Sequence, residues 1–202
     1  MVIKVVEGAS GPIEFRPFDG ESAVELPSEE ALAAFEQELG VSLPEAYRQF
    51  LLRMNGGKVS PRGFRYEYSP EARVILERFL DPNDEILSEN ETLFRYFLAL
   101  GHTKQALDLK ALQVKVRRWG REDTVGIGQT ISGDIIVLDL QPGPEHGSVK
   151  YMTIHGVGAM EDDESVPLAF VAADFDSFCR SFFDYDEEID RRAAAVIQGG
   201  KH

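Results

Sequence analysis

One cysteine and four histidines carry the most reactive side chains in this chain, and their spacing decides what they can do. Cys179 would act as a nucleophile only if a base oriented it. Its neighbours are Phe178, Arg180 and Ser181, with no histidine near in sequence. It falls inside a phenylalanine stripe, where a cysteine reads as a small core residue. His102, His146, His155 and His202 are scattered. None stands in a His-x-x-x-His or Glu-x-x-His pair, so no metal is expected. Glu161, Asp162, Asp163 and Glu164 form a carboxylate run that could attract a hard cation. A calcium loop needs alternating oxygens around a central glycine, so a solvated loop is the better reading. Gly126-Ile127-Gly128 lies on a strand with no helix following. It fails as a dinucleotide cradle and reads as bulge or close-approach glycines. These residues call for no cofactor.

Charge narrows the partners. The chain has 35 acidic and 21 basic residues, a formal charge of −14, which repels phosphate backbones and argues against direct nucleic-acid binding. The same surplus raises encounter rates with basic proteins, although an acidic surface is also a common route to solubility. Lys104, Lys110, Lys115, Arg117, Arg118 and Arg121 form a local basic island. It could bind an anion or an acidic patch, but pairing with the chain's own carboxylates is the simpler reading. No apolar run reaches a membrane span, and the start, Met1-Val2-Ile3-Lys4, breaks too soon for a signal peptide. A single cysteine leaves no internal disulfide, and a cytoplasmic protein is expected.

The elements that position these groups follow from periodicity. Hydrophobic content of 43% over 202 residues, with 13 phenylalanines, supplies the core of one domain spanning 1–202. Met1–Val6 and Ile13–Phe18 read as short strands or as a draped arm. Leu32, Phe35 and Leu39 lie on one helical face, with Ser28 as N-cap and Gly40 as stop. Pro44 opens a second helix whose buried stripe is Tyr47, Phe50, Leu51 and Met54, closed by Asn55-Gly56-Gly57. Phe64–Tyr68 reads as a strand, and Arg73–Leu80 fits neither period. Leu93, Phe94, Phe97 and Leu98 have helical spacing, with Gly101 as stop. Leu112, Val114 and Val116 alternate with Gln113, Lys115 and Arg117, which favours a half-buried strand over a helix. Val125–Ile131 and Ile135–Leu140 flank the hairpin turn Ser132-Gly133-Asp134. The run Ile135–Leu138 predicts a central strand, and Val149–Thr153 completes an antiparallel meander. Asp174 caps a last helix that buries Phe175, Phe178, Cys179 and Phe182. Residues 187–202 read as a polar extension that frays.

The order of these features resembles the SUKH superfamily, which includes a fungal cell-wall synthesis regulator and many bacterial immunity proteins. The likeness rests on Leu43, Pro44, Tyr47 and Phe50 and on Asn55-Gly56-Gly57. It continues through Gly128, Gly133, Asp134, Asp139 and His155 to Phe175 and Phe178. It runs from about Leu26 to Phe183, with 58–122 holding a possible insertion. The resemblance implies an α+β fold, a mainly antiparallel sheet packed by an N-terminal helical pair and a C-terminal helix. It implies a non-enzymatic protein-binding module, above all an immunity protein that neutralises a toxin domain such as a basic nuclease. A regulatory or scaffold protein is the alternative. It also sets the loop after Asn55 near the family's proposed binding face, although a helix stop explains those residues alone. Expected partner-binding acids are Glu161, Asp162, Asp163 and Glu164, then Asp184, Asp186, Glu187 and Glu188, with Asp81–Glu91 as a further stretch.

Overall fold

The computed structural model describes residues 4–8, 11–80, 90–119, 122–154 and 166–191. Within them the chain is α+β, with two antiparallel sheets and helices packed against them. The small sheet joins β1 (Lys4–Gly8), β2 (Gly11–Arg16) and β3 (Lys58–Ser60), so the N-terminal segment is strand and not a loose arm. The large sheet runs in chain order: β4 (Gly63–Arg65), β5 (Glu91–Phe97), β6 (Thr124–Thr130), β7 (Ile135–Asp139), β8 (Val149–Met152) and β9 (Leu168–Ala172). Just past β4, Glu67 and Phe170 of β9 exchange backbone hydrogen bonds of 2.8 Å each. The sheet therefore curls until its two ends meet. Gly57 and Phe97 exchange another pair, at 3.1 and 2.8 Å, and tie the small sheet to β5.

The helical pair forms for the reasons its sequence gives. In α1 (Glu29–Leu39) the Ser28 hydroxyl accepts the Ala31 N–H at 3.2 Å, and Gly40 ends the helix at φ 76°. In α2 (Glu45–Arg53) the Pro44 carbonyl accepts from the N–H groups of Tyr47 and Arg48, both at 3.0 Å. Glu36 locks the joint between them, accepting the Leu43 N–H at 2.7 Å and pairing with Arg48. Rings from α2, β5 and the C-terminal region then fill the centre. Phe97 lies 4.5 Å from Phe94 and 4.9 Å from Phe50, and Phe178 lies 4.9 Å from Phe182. Such pairs contribute roughly 0.5–1.5 kcal/mol each beyond the area they bury.

Two expectations are corrected. Residues 93–97 are strand, not helix. The register slips between Phe94 and Tyr96, and that bulge returns Phe97 to the face Phe94 occupies. A strand with a bulge thus imitates i, i+3 spacing. Gly128 stands opposite because a Cβ there would meet the Phe94 ring at 2.6 Å.

Residues 109–118 are helix, not strand: α4 (Leu109–Arg118) buries Leu109, Leu112, Gln113 and Val116, an i, i+3, i+4, i+7 set. Val114, half of the apparent alternation, is 72% exposed. Gln113 faces inward, donating to the Thr124 carbonyl at 2.7 Å and accepting the Gly126 N–H at 3.1 Å. Asp108 caps α4 by accepting the Ala111 N–H at 3.0 Å.

The undecided stretch before it holds α3 (Pro70–Leu76), capped by Ser69. β7 is central and buried, as its apolar run predicts. Asp174 accepts the Ser177 N–H at 2.7 Å and caps α5 (Phe175–Arg180), while Phe182 is buried just beyond the helix end. Residues 185–191 form a further helix, α6, where a fraying extension is expected from 187 onward.

Candidate protein-binding surface

Asn55 is fully buried and adopts φ 48°, a left-handed conformation asparagine tolerates better than most residues. Its amide nitrogen donates to the carbonyls of Glu25 at 2.7 Å and Leu100 at 3.0 Å, and its amide oxygen accepts the Leu100 N–H at 2.8 Å. One side chain therefore ties the end of α2 to two distant loops. Gly57 follows because a Cβ there would lie 2.2 Å from the Arg16 carbonyl oxygen. A second clamp acts nearby. His102 Nδ1 accepts the Lys104 N–H at 2.9 Å, which places its proton on Nε2 for donation to the Ser22 carbonyl at 3.0 Å. The ring packs edge-on against Phe18 at 5.5 Å.

The two clamps fix the walls of a groove of about 800 Å³. Leu26, Ala31, Ala34, Leu100 and Gly101 line it, together with the charged residues Glu25 and Lys110. Leu26 is 55% exposed, a large apolar side chain left open to solvent. The segment that supplies one wall is acidic: Glu25 lines the groove, Asp19, Glu21, Glu29 and Glu30 of the same stretch are exposed, and no lysine or arginine occurs from Asp19 to Glu30. Arg48 pairs with Glu29 at 2.7 Å. Among the described residues, Asp19, Glu21, Glu25 and Glu30 make no ion pair. Lys110 is engaged by Glu38. The Glu30 carboxyl is held below its ordinary range by backbone and Ser28 hydrogen bonds, so it is charged at neutral pH.

The acids expected to bind a partner are arranged differently. Glu161–Glu164 and His155 lie outside the described residues, as do 81–89. Asp184 accepts the N–H groups of Asp186 and Glu187, both at 3.1 Å, and so caps α6. Glu188 is taken up by Arg65 at 3.0 Å and Arg191 at 2.6 Å, and Arg65 stacks over Phe183 at 4.3 Å. Of this stretch, Asp186 and Glu187 remain as outward charges with no ion pair among the described residues. The basic island is partly absorbed: Lys104 donates to the Ser22 hydroxyl at 3.2 Å, and Arg117 to the Leu39 carbonyl at 2.9 Å. Arg121 lies outside the described residues.

The remaining motif residues build scaffold. Asp134 is buried under the hairpin turn and accepts from Tyr151 at 2.6 Å, Ser132 at 2.7 Å and the Ile154 N–H at 2.9 Å. Burial, then Asp134 itself, pushes the Tyr151 phenol far above its ordinary range, which holds the proton in place. A group so displaced from neutrality is poorly matched to proton transfer. Asp139 accepts the Gln141 N–H at 3.0 Å in the next turn. Leu43, Tyr47, Phe50, Phe175 and Phe178 are core, and Pro44 starts α2. Cys179 is buried and its thiol is pushed up to about 12 by burial, so it offers no thiolate for attack. Among the described residues no group of three His, Cys, Asp or Glu could hold a metal ion, and no helix is long and apolar enough to cross a membrane.

Sequence reasoning missed the groove residues Leu26, Ala31, Ala34 and Leu100. Its signal was the cation-free run from Asp19 to Glu30 with one bare leucine inside it.

The SMI1 / KNR4 family (SUKH-1) model matches residues 26–181, which is most of the chain. The chain belongs to the SMI1 / KNR4 family. No curated protein matches it. SUKH-1 proteins are generally non-enzymatic binding and immunity proteins, and membership makes this chain a protein-interaction module. The matched span starts at Leu26 in the groove and takes in Asn55 and the whole six-stranded sheet.

Proposed function

We propose that this SUKH-1 protein is a bacterial immunity protein that acts in the cytoplasm by covering the working surface of a basic toxin domain. The family match over residues 26–181 is the observation that carries the reading. The charge of −14 supports it, because an acidic binder accelerates encounter with a basic partner. The mechanism is occlusion: rigid acidic and apolar surface meets the toxin and excludes its substrate, with no bond made or broken. Binding of this kind draws most of its strength from a few buried anchors inside a solvated polar rim.

Co-expression tests the proposal. A toxin encoded beside this gene should arrest growth alone and be silenced by this chain, with the two proteins co-purifying. If every adjacent candidate remains toxic and fails to bind, the immunity reading is wrong.

A further inference from the structure

We propose that the groove between Leu26, the first half of α1 and Leu100 is the docking site for a basic partner segment that inserts an apolar side chain between lysines or arginines. This deepens the protein-binding reading and rests on it.

Three observations choose this face and this occupant. The floor is apolar and made of small residues: Ala31 and Ala34 leave space that a partner's leucine or phenylalanine can fill, against Leu26 and Leu100. The charge beside it is mainly acidic. Asp19, Glu21, Glu25 and Glu30 make no ion pair among the described residues, while Lys110, which lines the groove with Glu25, is already engaged by Glu38, and Lys104 is hydrogen-bonded to the Ser22 hydroxyl. Four exposed carboxylates within one short segment repel each other, and a basic segment relieves that repulsion. The walls are also fixed in advance. Asn55 joins the Glu25 and Leu100 backbones, and His102 holds Ser22, so little order is lost on binding.

Two other hollows among the described residues lack this combination. The hollow of about 290 Å³ beside Arg65 and Glu188 is closed by internal ion pairs. The hollow of about 440 Å³ beside α2 sets two cations, Lys4 and Arg53, against one carboxylate, Asp176, and so does not favour a basic segment.

The test uses the full chain and a short peptide of alternating lysine and leucine, with alternating glutamate and leucine as control. Backbone amide shifts followed at low salt should move at Leu26, Ala31, Ala34 and Gly101 with the basic peptide only. The double variant Glu21→Lys with Glu25→Lys changes exposed side chains outside α1, so it should fold normally and bind about tenfold or more weakly. Asp186→Lys with Glu187→Lys should bind within about twofold of the parent. Absence of shifts, shifts centred on 184–191, or an unaffected groove variant would each overturn the proposal. The toxin assay separates this from the immunity reading. Rescue that survives Ala34→Arg removes the groove and keeps immunity. Peptide binding in the groove with no toxin neutralised keeps the groove and removes immunity.

Discussion

Asn55 ties the end of α2 to two distant loops through one side chain. Its amide meets three backbone groups, and removing it leaves them buried and unsatisfied. Asn55→Ala is expected to lower unfolding free energy by about 2–4 kcal/mol in urea denaturation, and to broaden the Leu26 and Leu100 resonances as the walls lose their tie. Gly57 fails differently. Alanine there combines φ 123° with a contact of 2.2 Å to backbone, so about 3 kcal/mol or more should be lost. Cys179 gives a prediction in pH. Its thiol has an ordinary value of 9.0 and is raised to about 12 in the folded protein. Above pH 9 the unfolded chain releases this proton while the folded chain keeps it. The stabilisation is therefore complete below about pH 9 and declines as pH rises toward about 12. Cys179→Ala should flatten that alkaline decline relative to the parent. A thiol reagent at neutral pH should label Cys179 only after denaturant is added.

At the scale of elements, the docking of α4 on β6 is the most specific feature. Leu112 packs over Gly126, and Gln113 hydrogen-bonds to the Thr124 carbonyl and the Gly126 N–H on either side of Val125. Leu112→Ala should cost about 2–5 kcal/mol, measured by denaturant unfolding. Hydrogen exchange should show β6 amides losing protection with α4. The same region shows where a sequence pattern misleads. The caps Ser28, Gly40 and Asp174 were legible because each acts on residues within one turn. The hairpin at Gly133 and the buried run of β7 were legible for the same local reason. β5 was not, because its bulge is set by pairing with β6, a distant strand. α4 was not, because a buried glutamine looks polar until its partners on β6 are known. The groove was hidden more deeply. Its floor joins Leu26 to Leu100, residues far apart in sequence that are brought together by the Asn55 and His102 clamps.

For the whole molecule, the formal charge of −14 sets what the proposed association should do in salt. A complex with a basic toxin domain should weaken roughly tenfold or more between about 50 mM and about 500 mM salt, with most of the change in the association rate. Surface-plasmon or stopped-flow measurements would reveal it, and a salt-independent rate would remove electrostatic steering from the mechanism.

The reciprocal hydrogen bonds between Glu67 and Phe170 have a further effect on how this protein can be approached. Each outermost ribbon of the large sheet already satisfies amide and carbonyl groups on its outer side, through Glu67, Phe170 and the bridge from Gly63 to Phe183. An incoming extended peptide finds few bare backbone groups there on which to lengthen the ladder. The large sheet thereby favours recognition through side chains over strand addition, and it offers neighbouring copies little template for edge-to-edge pairing.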